Sequence, residues 1–491
     1  VVVALAITAI AVPAIRREAT APPPSPTDSV ASVGLGVMPF ENLSGSPADE
    51  PFSDGLSEEL IDALGRVPGL RVAARTSSFA LRGRNLGLEE IGRLLNVQAI
   101  VTGTVRRSAD QLRVTVRLEE VATRSLLWSE RYDRSAGEVF AIQEGIARAV
   151  ATRLAGTLAP GLDERLVIRE TPSLEAHELV LRGRYLLNNR GADADSALPQ
   201  ALSNFDRALV LDSNYAAAAA GLAETYAIVG NFHLRPRAEA YRLAVAAAHR
   251  AIAIDSTDPD ALKALGYVAV TAQRDYTGAE AALLKALSVS PYDAWTRHYY
   301  ALLLTVLGRY DEAVRQSGIS RQMDPTGSRS QTLRAVLSHV PGHAVDMRQD
   351  LTDLLARQPN YPWALYTLGL QELVDGRFTA AVTHLERALA AVPGLPGAQG
   401  LLAVAYVRAG RAAEAERVSR NLESAPPGQR RPFDRAILHS AQGELDLAFA
   451  RLAEAEWDIP ALVDLRTNPF LAPMRVDPRY PALLRTLGLQ P

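Results

Sequence analysis

The chain has 491 residues, a formal charge of −3 and no cysteine, which rules out thiol nucleophiles, disulfides and cysteine-ligated zinc. Its two lysines, Lys263 and Lys285, follow no glycine-rich loop, so kinase-type and P-loop phosphoryl transfer has no lysine to hold a phosphate. No stretch is basic enough to grip nucleic acid, and none is expected as a partner.

Residues 1–15 run from Val1 to Ile15, apolar except for Thr8, and Arg16-Arg17 follows. Fifteen helical residues cover about 22 Å of a hydrocarbon core roughly 30 Å thick. The run is therefore expected to be the C-terminal part of a transmembrane helix that begins upstream. A signal-peptide core is the alternative, although Ala11-Val12-Pro13-Ala14 makes a poor cleavage site. Residues 16–32, with Pro22-Pro23-Pro24, have the composition of an extended linker. The expectation is a single-pass membrane protein.

Residues 33–160 carry mixed signals. Val33, Leu35 and Val37 alternate as in a strand, and Phe52, Leu56, Leu60, Ala63 and Leu64 recur at helical spacing. A strand is expected at Leu70–Ala74, a helix at Leu88–Leu95 and a strand at Gln98–Val105. Leu112, Val114, Val116 and Leu118 alternate with Arg113, Thr115, Arg117 and Glu119, which marks a half-exposed antiparallel strand. Leu126-Leu127-Trp128 opens another. Val139, Ile142, Ile146 and Val150 share one helical face. The fold class is an α/β domain followed by an all-α array.

Three stretches of this domain are similar to the TolB amino-terminal-like domain of bacterial signalling proteins. They are Met38-Pro39-Phe40-Glu41-Asn42-Leu43-Ser44, the run from Phe52 to Leu60, and Arg71-Val72-Ala73-Ala74-Arg75-Thr76-Ser77-Ser78-Phe79. Gly103-Thr104-Val105-Arg106 and Leu127-Trp128-Ser129-Glu130-Arg131-Tyr132-Asp133 extend the likeness. Gly34 and Gly36 depart from it, standing where the family has bulkier residues. The resemblance implies a single-pass protein of a bacterial inner membrane with its repeat array outside the cytoplasm, although Arg16-Arg17 points the other way by the positive-inside rule. It also implies an upstream output domain: a serine/threonine kinase foremost, otherwise a cyclase or a winged-helix regulator.

Five prolines, Pro291, Pro325, Pro359, Pro393 and Pro427, stand 34 residues apart, the length of a tetratricopeptide repeat. From Asn360 to Pro393, Leu365, Leu368 and Gly369 mark a first helix; Ala381, Leu385 and Ala388 mark a second. Residues 171–465 are read as about eight such repeats, with Thr326–Pro359 degenerate, two lengthened near Asn189–Pro199 and Asn231–Arg237, and residues 466–491 as a capping segment. The span resembles the tetratricopeptide repeat family.

Most repeat residues are core. Trp295, His298, Trp363 and Tyr366 are the candidates for a partner, since each is expected to project from a first helix toward the concave face, where aromatics make binding hot spots. No catalytic, cofactor or metal site is expected. Gly34-Leu35-Gly36 lacks a third glycine, and Pro341-Gly342 separates His339 from His343. Glu58-Glu59 is read as a solvated face, and Arg82 and Arg84 near Arg75 as a solvated loop. The chain is thus expected to be a non-catalytic sensory or scaffold region that binds a protein or peptide, with self-association left open. A stand-alone envelope adaptor is the alternative.

Overall fold

The computed structural model describes residues 33–490 except 109, 156–170, 190–193, 232–233, 341, 344, 346, 425–430 and 456. The expected helix at 1–15 and linker at 16–32 lie outside the described residues. Placement as a single-pass inner-membrane protein is corrected: among the described residues no helix is long and apolar enough to cross a membrane.

The first part is a six-stranded mixed sheet in the order β3-β1-β4-β5-β6, with a short β2 beside β4. Its strands are β1 (Val33–Val37), β2 (Glu41–Asn42), β3 (Leu70–Val72), β4 (Ala99–Ser108), β5 (Gln111–Glu120) and β6 (Leu126–Ser135). β1 runs parallel to β3 and β4, and the last three strands form an antiparallel meander. Helices α1 (Glu50–Gly65) and α4 (Val139–Ala155) pack on one face through Leu56, Leu60, Leu64, Ile142, Ile146 and Val150. The short α2 (Arg75–Phe79) and α3 (Leu88–Leu95) lie at the β1 end, where Leu95 and Val97 seal Ile100. Because α3 stops there, the alternate residues of β5 and β6 face water, which explains their polar rhythm.

Eight helix pairs follow among the described residues. They are α5 (Leu174–Asn188) and α6 (Ala194–Leu211), α7 (Ala216–Asn231) and α8 (Arg237–Ile254), α9 (Pro259–Val268) and α10 (Tyr276–Val289), and α11 (Ala294–Val306) and α12 (Tyr310–Met323). Then come α13 (Ser328–Leu337) and α14 (Arg348–Arg357), α15 (Pro362–Val374) and α16 (Phe378–Ala391), α17 (Ala398–Arg408) and α18 (Ala412–Ser424), and α19 (Pro432–Gln442) and α20 (Leu445–Ala453). They wind into a superhelix of the tetratricopeptide kind. Pro291, Pro325, Pro359 and Pro393 each stand two residues beyond a second helix, since a proline cannot carry the hydrogen-bond ladder onward. Gly369 lets the two helices of its pair touch: a Cβ there would lie 2.7 Å from Leu385 Cγ. The expected loop to Pro199 is shorter than read. α6 starts at Ala194 and contains Pro199, near enough to its start that few backbone bonds are lost.

Three short helices close the chain: α21 (Ile459–Thr467), α22 (Ala472–Arg475) and α23 (Tyr480–Thr486). α21 does not sit at the end of the stack. It packs against α11, four pairs earlier, on the inside of the spiral, and seven of its nine residues are buried.

The α/β domain docks on the array at two places. At the first, Gly55 of α1 faces Leu181 of α5 so closely that a Cβ would fall 2.6 Å from Leu181 Cδ2. Beside it, His177 Nε2 donates to Glu59 Oε1 at 2.7 Å, and Gln143 of α4 donates to the other carboxylate oxygen. The reading of Glu58-Glu59 as a solvated face is thereby corrected: α5 covers Glu59, leaving it 9% exposed. Burial alone would raise the Glu59 carboxyl, but His177, Arg184 and Gln143 outweigh it and hold it below the ordinary value. At the second place, Ala74 N donates to Met323 O at 2.8 Å, and Ser77 Oγ donates to Asp324 Oδ1 at 2.5 Å.

Replacing His177 with leucine would strand the Glu59 carboxylate in a dry interface. His177→Leu should cost about 3–5 kcal/mol, read as an earlier urea transition of the Trp128 fluorescence; an unchanged midpoint would show the pair to be incidental.

Candidate partner-binding face

The inner face of the spiral is built by first helices, so residues 34 apart share one repeat position. Trp295, Arg329 and Trp363 occupy the same position in three successive pairs. The Arg329 guanidinium lies 3.9 Å over the Trp295 ring, and its Nη1 donates to Tyr299 Oη at 3.4 Å. Tyr299 in turn touches Tyr267 (4.9 Å between ring centroids), His298 (5.8 Å) and Trp295 (6.1 Å). All five are half-buried, forming a single aromatic floor across α9, α11 and α13 with one cation on top.

Trp295 and His298 each touch Tyr299, and the cluster adds Tyr267, Tyr299 and Arg329, which sequence reasoning missed. Arg329 was findable: it stands 34 residues from each tryptophan. Burial and the neighbouring Arg329 push the His298 imidazole down to about 3, so it is neutral at physiological pH.

The second pair stands elsewhere. Trp363 is half-buried and meets Tyr366 edge-on at 5.9 Å. Tyr366 itself is corrected: it is 1% exposed and presents nothing to a partner, because its hydroxyl donates to Asp464 of α21. Around that contact, Asp434 accepts from Gly400 N (3.0 Å) and Arg237 Nη2 bonds Asp458 Oδ2 (3.2 Å). Burial, with Asp434 and Asp458 nearby, pushes the Asp464 carboxyl up to about 7 against the pull of its bonds to Tyr366 and Asn468. The far half of the groove is therefore filled by the chain's own helix.

Between floor and α/β domain lies a network of opposite charges. Lys263 Nζ bonds Asp260 at 2.6 Å and reaches Asp293 at 3.9 Å, while Arg184 spans Asp260 (3.4 Å) and Asp62 (3.8 Å). Asp62 keeps about half its side-chain surface open, 48%, yet the concavity around it, with Asp260 and Glu58 facing it, pushes its carboxyl up to about 8. Arg75 and Arg82 of the α/β domain are also taken. Arg75 bonds Glu58 at 2.7 Å and lies 4.1 Å over Phe79, and Arg82 bonds Glu50 (2.9 Å) and Asp54.

Among the described residues no group of three or more metal-ligating side chains is assembled; His343 faces Asp311 at 3.3 Å instead. A cavity of about 370 Å³ between α6 and α7, lined by Leu202, Val210 and Tyr226, lies apart from the aromatic floor.

A family model described as tetratricopeptide repeat matches residues 373–430. Over 204 residues, 42% of this chain, the sequence is 35% identical to a protein named putative adenylate cyclase 3 from Rhizobium meliloti (strain 1021); the match covers 34% of that protein. The chain thus spans about a third of the curated relative it matches. Solved structures similar to it include the Cut9–Hcn1 hetero-tetramer of APC/C, at 14% identity over 71% of this chain and 63% of that one, TM-score 0.41. Yeast Tom70 is similar at 14% identity over 72% and 82%, TM-score 0.38. YrrB, titled a TPR protein with an unusual peptide-binding site, is 23% identical over 39% and 90%, TM-score 0.27. The family match falls on α15–α18 of the repeat array.

Asp464 makes the closed groove sensitive to pH. With the folded carboxyl near 7 and its ordinary value 3.8, the folded chain holds a proton that the unfolded chain has released between those values. Stability therefore falls as pH rises through that window and levels off above it. Asp464→Asn keeps an acceptor for Tyr366 and removes the titration. The variant should gain on the order of 2–4 kcal/mol over wild type between pH 5 and pH 8, measured by urea unfolding; parallel pH profiles would dismiss the role.

Proposed function

We propose that the chain is the partner-binding, regulatory region of a bacterial signalling protein whose output domain lies outside these 491 residues. The observation that carries this reading is the stacked floor of Trp295, Tyr299, Tyr267 and Arg329. Aromatic and arginine side chains held half-open in a concavity are what interface hot spots are made of. The repeats fix the floor from beneath, since Tyr267 and Tyr299 pack against the core and Asn231 Nδ2 donates to Tyr267 Oη at 2.6 Å, which leaves the Trp295 ring and the Arg329 guanidinium as the part offered to a partner. An extended peptide or the edge of a folded protein, carrying an apolar anchor and a carboxylate for Arg329, fits this floor. Trp363, at the same repeat position, extends the path toward α21.

The α/β domain is read as TolB amino-terminal-like. The quoted motifs supply the residues that hold it together, which supports the reading. Phe40 is 1% exposed, its N–H donates to Ser57 Oγ at 2.8 Å, and Asp54 anchors Arg82. The output in this reading is a nucleotide cyclase, favoured over a kinase by the relative that bears a cyclase name. Binding on the floor would be felt by the α/β domain because Asp324 and Thr326, which hold Ser77, directly precede α13, the helix that carries Arg329.

Selection of displayed peptides on the full chain should yield ligands that lose about 30-fold in affinity, roughly 2 kcal/mol, in Trp295→Ala and in Arg329→Ala. Leu126→Ser, on the sheet, should bind as wild type. Selected ligands indifferent to both floor variants would remove the concave face from consideration. In the complete natural protein, deleting residues 33–491 should change cyclic-nucleotide synthesis. Unchanged synthesis would refute regulation and leave the binding result intact.

A further inference from the structure

The sheet ends in an open edge. β6 pairs with β5 on one side, and among the described residues no strand pairs with the other. It is ten residues long, and a free edge of that length is a template for another strand unless charge or shape protects it. β3, at the opposite edge, lies toward the repeats: Arg71 of β3 reaches Gln322 O at 3.5 Å. β6 stands four strand spacings away, about 19 Å, and its neighbours are β5 and α4.

The charges on β6 read Glu130-Arg131-Tyr132-Asp133-Arg134. A simple guard would repel every strand, whereas this sequence is complementary to itself. Two copies related by a twofold axis perpendicular to the sheet keep their faces, so residues that stand opposite must differ by an even number. Every such antiparallel register is therefore centred on one residue. Centred on Tyr132, Glu130 meets the second copy's Arg134, Arg131 meets its Asp133, and Ser129 meets its Ser135. Centred on Arg131, Trp128 meets an arginine and Asp133 meets a serine. Centred on Asp133, Tyr132 meets Arg134 and Arg131 meets Ser135. Centred on Glu130, Asp133 meets Leu127 and Arg134 meets Leu126. One register alone pairs every charge with its opposite.

The side chains are free to make that exchange. Glu130, Arg131, Asp133 and Arg134 are exposed. Their present contacts are exposed ones: Arg131 to Asp133 at 3.1 Å and Asp133 to Arg113 on the open face, and Arg134 to Glu138 at 4.0 Å and Glu130 to Tyr132 on the other. Exposed pairs of this kind are worth little, so trading them costs little. Arg153 Nη1 already holds the carbonyl of Leu127 at 3.0 Å and Ser135 N donates to Glu138 Oε2 at 3.1 Å, which limits the free backbone of the edge to the stretch from Trp128 to Arg134. Glu130–Arg134, whose charges the self-complementary register pairs, lies within that stretch.

We propose that β6 is a homodimerisation edge, at which a second copy of this chain adds its own β6 antiparallel and centred on Tyr132. The two sheets then run as one, with backbone hydrogen bonds supplying affinity and four ion pairs across the axis fixing the register. The dimer leaves the concave face of each array open, because β6 is the sheet edge opposite the repeats.

Sedimentation of the full chain should show a monomer–dimer equilibrium. Glu130→Arg sets like charges opposite one another and should weaken it at least tenfold, as should Arg134→Glu. The double variant Glu130→Arg with Arg134→Glu restores opposite charges across the axis and should recover the wild-type dimer, with unchanged circular dichroism throughout. The chain has no cysteine, so single cysteines report the register directly. Tyr132→Cys should cross-link to itself on oxidation, while Ser129→Cys, about 20 Å from its own copy, should not. A wild-type chain that stays monomeric at every concentration, a dimer indifferent to Glu130→Arg, or a double variant no better than the singles would each overturn the proposal.

Discussion

The burial of α21 inside the spiral is the constraint from which the rest of the array takes its form. Repeat arrays are ordinarily one-dimensional, each unit touching its neighbours and nothing further. Here Asp458 meets Arg237, Asp464 meets Tyr366, and Leu487 O accepts from Tyr276 Oη at 2.8 Å. Those contacts tie together pairs that stand far apart in the stack. α21 has nine residues, too few to persist as a helix in water. Its order comes from Ile459, Leu462, Val463 and Leu465, each contributing roughly 1.5–3 kcal/mol on burial. The dependence runs both ways: remove the helix, and the inner walls formed by α11, α15 and α19 face water.

The α/β domain acts on the first half of the array as α21 acts on the second, but from outside. It is fastened to α5 through Gly55, Leu181, Glu59 and His177, and to the α12–α13 turn through Ser77, Asp324 and Thr326. Between those anchor points lie the pairs that carry the aromatic floor. The floor is thus strung between two fixed points. A ligand that changes the spacing of α9, α11 and α13 works against both anchors at once. Such coupling passes through packed elements.

The local part of this architecture was legible in the sequence. Gly369, Leu385, Ala381 and Pro393 recur because every helix pair repeats the same close approach, so one repeat predicts its neighbours. The strands of the sheet domain declared themselves where one face is wet, as in Leu112–Leu118, and β2 did not, being two residues long. What escaped reading was whatever depends on a distant partner. Tyr366 occupies the repeat position of His298, and nothing in its own neighbourhood says that Asp464, 98 residues on, will cover it. Ile459–Thr467 looks like one more capping helix until the spiral brings α11 around to meet it. Glu59 read as one of a solvated acidic pair for the same reason, since His177 lies 118 residues away. The aromatic floor falls between these cases. Trp295 and His298 were visible as residues the repeat does not need, and Arg329 was visible only once the period was used to align it with them.

The molecule therefore divides its exposed surfaces by origin. Surfaces made by repetition, such as the floor, vary in identity from one pair to the next, with Trp, Arg and Trp at one position; that variation permits discrimination among partners. The surface made by the sheet edge is a single strand whose charges are ordered about Tyr132. Peptide recognition needs many weak choices along a groove, whereas self-recognition needs one register and rejection of the others. β6 satisfies the second requirement and the first helices satisfy the first. A change of curvature around the floor reaches the sheet at its β3 edge through Ser77 and Asp324, and the helix-covered face of β5 and β6 through α5, α1 and α4. A sheet that continued into a second copy would present the output of both chains with a shared, rigid base, and the two arrays would bend about it.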